Sequence, residues 1–395
     1  MKKIGITLAA LIVLTALWLG AAWYTGTRIQ AQASDAIARI NAAWARNQRA
    51  MGAQIKLIDY ERGLLSSHAR YAIASPLLGS QPVVEYDVTF WHGPFPLTTQ
   101  GGLVPRQFQA HAEVLAASGP FKAVTGALMN GKPPLVVDIG CGYGHHCTGT
   151  GSVPPIDADL GPIAQNVKLA FGGARMRFTF DCPSDTDYKI NGDTQLLPLT
   201  VGGQNFGSGQ ITFALNAQSI HEVFSWKTDQ GESKLALDLT LTQPLPILGS
   251  AQPATSASLP QFIKTASINL SLSKPMIVDM AARALNLTKG ADLASTRQEI
   301  SAKLDPLLAS NPAAQKYLRI QGDQLISDWQ YAEGKLTING QDDPDLLNQI
   351  QQGYQRQLRA QQQALQGADA AAAQSSDGAF AARPASAPDG VAAGQ

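Results

Sequence analysis

The run Leu235-Ala236-Leu237-Asp238-Leu239-Thr240-Leu241 decides how this chain folds. Four leucines sit at every second position, and Ala236, Asp238 and Thr240 fill the gaps. A period of two belongs to a strand with one apolar face and one wet face; a helix would scatter these leucines around its circumference. The same alternation recurs on both sides. Ile268, Leu270 and Leu272 alternate with Asn269 and Ser271. Upstream, Ile211, Phe213 and Leu215 follow the rule, as do Met176, Phe178 and Phe180 against Arg175, Arg177 and Thr179. Phe108, Ala110, Ala112 and Val114 alternate with Gln109, His111 and Glu113, and Val84, Tyr86, Val88 and Phe90 with Glu85, Asp87 and Thr89. Gly- and Pro-rich punctuation separates the runs, at Gly93-Pro94, Gly119-Pro120, Pro133-Pro134, Pro154-Pro155 and Gly161-Pro162. Residues 54–273 therefore read as one long antiparallel β region.

Composition agrees with a folded but weakly charged protein. Of 395 residues, 45% are hydrophobic and 15% charged, with 30 basic and 30 acidic side chains and a net charge of zero. A neutral chain lacks the basic footprint of a nucleic-acid binder, so no nucleic-acid partner is expected. Three cysteines are too few to staple a chain of this size.

Outside the β region the pattern turns helical. Residues 276–287 and 291–309 carry Met276, Ile277, Met280, Leu285, Leu293, Ile300, Leu304 and Leu307 at helical intervals. Asn311-Pro312 reads as an N-cap with proline at the first helical position, opening a helix to about Ile326. Strand returns from Trp329 to Asn339 and ends in a turn at Asn339-Gly340. Residues 346–366 form a Gln-rich helix whose stripe (Leu346, Leu347, Ile350, Tyr354, Leu358, Leu365) suits docking onto the domain or a homodimer equally. The Ala-rich tail, 367–395, is expected to be disordered.

The N-terminus carries the strongest local signal. Lys2 and Lys3 precede an uncharged apolar stretch from Ile4 to Trp23, followed by Tyr24. About 20 apolar residues match the roughly 30 Å hydrocarbon core of a bilayer, and aromatic residues favour its interface. Residues 1–25 are read as a signal anchor with the lysines cytoplasmic, and 26–53 as a helical connector that continues it or restarts after Gly26. Cleavage at Ala31-Gln32-Ala33 is the rival reading. The fold class expected is α+β, mainly β: an N-terminal transmembrane helix, then a large antiparallel sheet domain over 54–345 with a helical insert near 276–326.

Four segments together resemble one family. They are Trp23-Tyr24-Thr25-Gly26; the run Tyr60-Glu61-Arg62-Gly63-Leu64-Leu65-Ser66-Ser67-His68-Ala69-Arg70; His92-Gly93-Pro94-Phe95; and Tyr331 to Gly340, which includes Gly334 and Asn339. In order and separation they resemble the YdgA-like family of bacterial proteins of unknown function. The resemblance implies an inner-membrane-anchored periplasmic protein, with no assigned reaction and no catalytic residues to carry over. The glycine- and cysteine-rich centre and the long tail depart from the family pattern. Read from the residues alone, Tyr60 to Arg70 is the first strand, with Arg62 or Arg70 paired to a carboxylate and Gly63 marking a bulge or close backbone approach.

Leu135 to Gly144, an apolar run into Asp138-Ile139-Gly140-Cys141-Gly142-Tyr143-Gly144, mimics a methyltransferase cofactor loop. It lacks the following helix and the βαβ setting, so a glycine-rich hairpin is expected and no cofactor. Cys141, His145, His146 and Cys147 hold enough donors for zinc. In an oxidising compartment a disulfide among Cys141, Cys147 and Cys182 competes, and free buried thiols are a third reading. No metal ligand is assigned. His221-Glu222 reads as an exposed strand pair, and Ser66, Ser67 and His68 are mere sequence neighbours. No coherent active site emerges. Three functions follow: a non-catalytic envelope protein binding a partner, itself or another envelope component; a lipid- or amphiphile-binding protein whose leucine faces line a groove; or, least supported, a hydrolase assembled from distant residues.

Overall fold

A computed structural model describes residues 2–46, 53–74, 84–96, 105–116, 131–159, 167–184, 186–244 and 262–356, with isolated residues between them. The tail expected to be disordered lies outside the described residues. The chain divides into two units, Met1–Pro344 and Asp345–Gln395. In the second, residues 345–356 are helical.

The first unit opens with one continuous helix, α1 (Lys2–Arg46), which passes through Gly26 without a break. For residues 2–14 the backbone alone is described, and these hold most of the apolar run. Among the described residues no helix is long and apolar enough to cross a membrane.

The strands follow in order: β1 (Gln54–Arg62), β2 (Ser66–Ala74), β3 (Val84–His92), β4 (Phe108–Ala116), β5 (Leu135–Cys141), β6 (His146–Val153), β7 (Ile156–Asp159), β8 (Lys168–Phe171), β9 (Ala174–Ser184), β10 (Asp187–Val201), β11 (Gln204–Asn216), β12 (Ser219–Thr228), β13 (Gly231–Leu241) and β14 (Ile263–Ser273). After three helices come β15 (Arg319–Gln321), β16 (Gln324–Ala332), β17 (Lys335–Ile338) and β18 (Gln341–Asp342). All 18 belong to one sheet, and every pairing is antiparallel. It is almost a pure meander: β1 to β6 pair in succession, β6 pairs β9, β9 to β14 pair in succession, and β14 pairs β16. β16 then pairs both β15 and β17. Leu135–Gly144, read as a glycine-rich hairpin, is indeed the arm and turn of the β5–β6 hairpin.

Register lines up the alternating residues across the whole sheet. On one face Val88 sits opposite Ala112, Ala112 opposite Val137, Phe180 opposite Ile190, and Leu237 opposite Ile268. On the other face His68 sits beside Thr89, His111 beside Asp138, and Arg177 beside Asp193. One face is therefore mainly apolar from β2 to β17 and the other mainly polar. A sheet this wide cannot stay flat, because strand twist accumulates until the sheet curls. Residues of the successive strands β3 to β6, β9 and β10 line one cavity on the apolar face. The leucine stripe of β13 is not closed over as an ordinary core would be: Leu241 is buried, but Leu235 is 40% exposed.

The helical insert comprises α2 (Lys274–Lys289), α3 (Leu293–Ser310) and α4 (Pro312–Tyr317). Ser273 caps α2 through its hydroxyl, which accepts from Met276 N, and Gly290 ends it in the left-handed region (φ 65°). Asn311 caps α4 as its pairing with Pro312 predicts. The helix expected to reach Ile326 stops at Tyr317. Leu318 is already extended (φ −125°, ψ 136°), and Ile320 and Leu325 face each other across the β15–β16 hairpin. Ladder hydrogen bonds there outweigh the weak local preference for helix.

Candidate functional site

Three of the four signature segments meet at one place. α1 runs antiparallel along the edge strand β1. At one end the Asn41 side chain bonds both backbone groups of Ile55, each at 2.8 Å. At the other end the Arg62 guanidinium lies 5.1 Å from the Trp23 ring centre and donates to the Trp23 carbonyl at 3.3 Å. Beside it, His92 is only 1% exposed. Its Nδ1 is 2.9 Å from the Ala22 carbonyl and its Nε2 is 3.1 Å from Ser67 Oγ. A carbonyl only accepts, so Nδ1 carries the proton in the neutral ring and Nε2 accepts from the Ser67 hydroxyl. Burial pushes the His92 pKa down; the Ala22 hydrogen bond opposes this and the Arg62 charge adds to it. Gly26 makes the junction fit, because a Cβ there would lie 2.7 Å from His92 Cε1.

A serine hydroxyl on a neutral imidazole is the opening pair of a nucleophilic triad. Here the third partner is the Ala22 backbone carbonyl, and Ser67 and His92 are both buried under α1. The pair fastens helix to sheet and has no room for a substrate. Sequence adjacency had suggested no link from Ser67 to His92, which lies 25 residues away; His68 instead pairs Asp87 on the polar face, at 2.5 Å.

The other signature residues shape turns. Tyr60 to Arg70, expected as one strand, is instead a hairpin: Gly63 N donates to Ser66 O at 2.8 Å in the tight β1–β2 turn, where a side chain would press on that carbonyl. Ser66 begins β2. Gly93 packs on Ala22, with Pro94 next to it. Tyr60 lies on β1 with its hydroxyl enclosed and without a hydrogen-bond partner among the described residues. Gly334, Asn339 and Gly340 occupy left-handed positions (φ 78°, 53° and 81°), as two-residue hairpin turns require. Asn339 also receives the Asp328 amide and returns its own. Of the arginines offered a carboxylate, Arg70 takes Asp87 (3.6 Å) and Arg62 takes Trp23.

The apolar face holds a second candidate site. A cavity of about 660 Å³ is lined by Val88, Phe90, Phe108, Ile139, Phe178 and Phe180, with Cys141, Cys147 and Cys182 near one end. Its floor is thinned by glycine: Phe178 lies flat across Gly149 on β6, where any Cβ would strike the ring. Cys141 and Cys147, directly opposed on the β5–β6 hairpin, form a disulfide, and Cys182 takes no part in it. His146 turns away to Asp181 at 2.6 Å on the polar face while His145 lines the cavity, so the four donors of the loop do not converge. Among the described residues no three metal-capable side chains cluster.

The polar face is ordered by histidine–aspartate pairs between adjacent strands: His68–Asp87, His111–Asp138, His146–Asp181 and His221–Asp238 at 2.5, 2.8, 2.6 and 2.5 Å. His221 thus joins Asp238 and not Glu222, which lies on the apolar face opposite Leu237. Burial alone would lower the His111 pKa, but hydrogen bonds and charge from Asp138 and Glu113 raise it overall.

An ionic cluster at the helical insert escaped sequence reading. Asp279, 2% exposed, accepts from Arg283 Nε at 2.6 Å and also pairs Arg297. Arg283 further donates to Asn205 O at 2.7 Å and to Asp229 at 3.2 Å, tying α2 to the β10–β11 and β12–β13 turns. The Asp279/Arg283 spacing of four on an amphipathic helix was the available signal.

Residues 1–223 and 219–345 match a family model described as a bacterial protein of unknown function (DUF945). The chain is 23% identical over 375 residues to Protein YdgA of Escherichia coli (strain K12), covering 91% of this chain and 64% of that protein. It is 23% identical over 232 residues to the uncharacterized protein YihF of the same organism, covering 57% and 46%. An uncharacterized protein of Haemophilus influenzae is 28% identical over 99 residues, covering 25% and 27%. The chain spans less than two thirds of the length of these relatives.

Proposed function

The chain belongs to the DUF945 family of bacterial proteins of unknown function, and from that premise we propose that it is a non-catalytic envelope protein whose curled sheet binds the apolar chain of a lipid or other amphiphile. The observation that carries this is the cavity of about 660 Å³, walled mainly by Val, Ile, Ala and Phe, with Gln107, His145 and the cysteines at one end, and continuous with an apolar face left partly open. Pockets of this size and lining suit apolar ligands, and a soluble monomer rarely leaves such a surface uncovered.

The reading includes a single inner-membrane anchor, with the N-terminus cytoplasmic and the sheet periplasmic. Lys2, Lys3 and the run Ile4 to Trp23 support it. So does the junction: cleavage after Ala33 would remove the Ala22 carbonyl that satisfies buried His92 and the Trp23 that Arg62 covers. α1 also crosses Ala31-Gln32-Ala33 as unbroken helix, a form that suits an anchor better than a cleavage site.

Native mass spectrometry of the detergent-extracted full chain tests the reading. A reproducible bound mass of several hundred daltons is expected, lost in a Phe178→Asp variant that keeps its fold. Consistently bare protein, or protein found only in a dimer or with another protein, would replace lipid binding with an assembly role.

A further inference from the structure

The direction of α1 fixes which end of the sheet faces the apolar run. From Asn41 back to Trp23 the helix covers about 27 Å at 1.5 Å per residue. From Ile55 to Arg62, β1 covers about 23 Å at 3.3 Å per residue. The two run side by side, tied at both ends. The β1–β2 turn therefore lies level with Trp23, where the apolar run ends. Contact of Gly93 with Ala22 sets the end of β3 at the same level. Register carries that level onward, since His92 sits opposite Phe108, Phe108 opposite Cys141, and Cys141 opposite Cys147.

The turns at this end present apolar and aromatic side chains to solvent. Leu64 in the β1–β2 turn is 49% exposed, and Phe95 just after β3 is 37% exposed. Tyr143 in the β5–β6 turn, Trp23 and Tyr24 are more exposed still. Arg28 stands over the Tyr24 ring at 5.6 Å and Arg62 over Trp23, so cations flank the aromatics. Exposed apolar tips, aromatic rings and neighbouring arginines are the composition of a surface that sits among lipid headgroups. The cysteine end of the apolar cavity, at Phe108, Cys141, Gly142 and His145, belongs to this same end of the sheet.

We propose that Leu64, Phe95 and Tyr143 dip into the periplasmic leaflet of the bilayer, so that the cavity opens at the membrane surface and takes the acyl chain of a phospholipid directly from it. This rests on the anchored, lipid-binding reading above and adds an orientation and a source to it.

Full-length protein with Cys182→Ser, the disulfide left intact, carries one further change: Leu64→Cys, Phe95→Cys, Tyr143→Cys or, as control at the far end of β1, Gln54→Cys. Each is labelled with a polarity-sensitive fluorophore and reconstituted in phosphatidylethanolamine–phosphatidylglycerol vesicles with brominated acyl chains. Labels at Leu64 and Phe95 should lose at least about twofold in emission, and the Gln54 label should be unaffected. Protein that floats with the vesicles but shows no quenching at Leu64 or Phe95, or equal quenching at Gln54, overturns the orientation and leaves the anchor standing. Protein that does not float with the vesicles overturns the anchor as well. A second arm offers a fluorescent phospholipid to the Leu64→Ser/Phe95→Ser variant. Loading from detergent should match the unaltered protein, while loading from vesicles slows roughly tenfold. Equal loading from vesicles overturns the entry route; no loading of either protein from either source overturns lipid binding itself.

Discussion

Replacing His92 with alanine should loosen the attachment of α1 to the sheet without unfolding the sheet. The side chain makes two hydrogen bonds, to Ala22 O at 2.9 Å and from Ser67 at 3.1 Å. Each is worth roughly 0.5–1.5 kcal/mol net, and a buried hydroxyl left unpaired adds a penalty of roughly 1–3 kcal/mol. The loss is then about 3 kcal/mol, and with about 1.4 kcal/mol per factor of ten the local opening equilibrium shifts roughly 100-fold. Hydrogen exchange is the assay, because opening at one edge of so wide a sheet is not a two-state event visible in a melt. Amides of β1 and of the Gly63–Leu65 turn should exchange about 100-fold faster, while those of β12 and β13 keep their rates. Ser67→Ala removes one of the two bonds and should accelerate β1 by roughly fivefold, for about 1 kcal/mol. Arg62→Ala gives up an exposed cation–π contact and a long hydrogen bond and should do no more. The reasoning is refuted if His92→Ala changes β1 exchange by less than about threefold, or if Arg62→Ala exceeds it.

Gly149→Val should push Phe178 off the cavity floor, costing about 1–3 kcal/mol and reducing any bound mass in native spectra; an unchanged melting temperature with full occupancy would contradict the packing. Asp279→Ala takes the buried carboxylate from Arg283, which keeps Asp229 and Asn205 O, and from the part-exposed Arg297, and should cost about 1.5–3 kcal/mol, read as early proteolysis of α2 and α3; a cost under about 0.5 kcal/mol would show that the charges are solvated. Acid should act oppositely on two histidines. His92 titrates below its ordinary 6.5 in the fold, so the unfolded chain takes its proton first and stability is lost as pH falls below 6.5. His111 titrates above 6.5, so its contribution is complete below 6.5 and fades as pH rises through its raised value. Chemical denaturation at several pH values should show His92→Phe flattening the acid limb and His111→Gln flattening the neutral one; no change in either limb would oppose the assignment.

The sheet was legible because its signal is local. Alternation in Leu235 to Leu241 or Met176 to Phe180 is a property of neighbours, and the register then placed those residues on one face, as Leu237 opposite Ile268 illustrates. The Asn311-Pro312 start was legible for the same reason, since a cap is one residue's chemistry. The end of that helix was not, because Ile320 became strand only by facing Leu325 across a hairpin. The junction was half legible. The segments around Trp23, Arg62 and His92 stood out as a signature, yet their meaning lay in contacts 39 and 70 residues apart in sequence, Arg62 to Trp23 and His92 to Ala22. Whether the leucine faces close into a core or line a cavity was equally hidden, since alternation reports that one side avoids water and is silent on what covers it.

The meander has a consequence for how the chain acquires its shape. Nearly every strand partners the strand just before it, so the pairing is local in sequence; the connections run from two residues (229–230) to 21 (242–262), and the entropy of closing them grows only slowly with length. Such a sheet can lengthen in the order in which residues become available, each new strand templated by the last, much as a repeat array propagates from any nucleus. The edge strand that starts the process, β1, is already covered by α1 through Asn41 and Trp23. A half-made molecule therefore exposes one growing edge instead of two, which halves the opportunity for strand-to-strand aggregation while the remaining strands arrive.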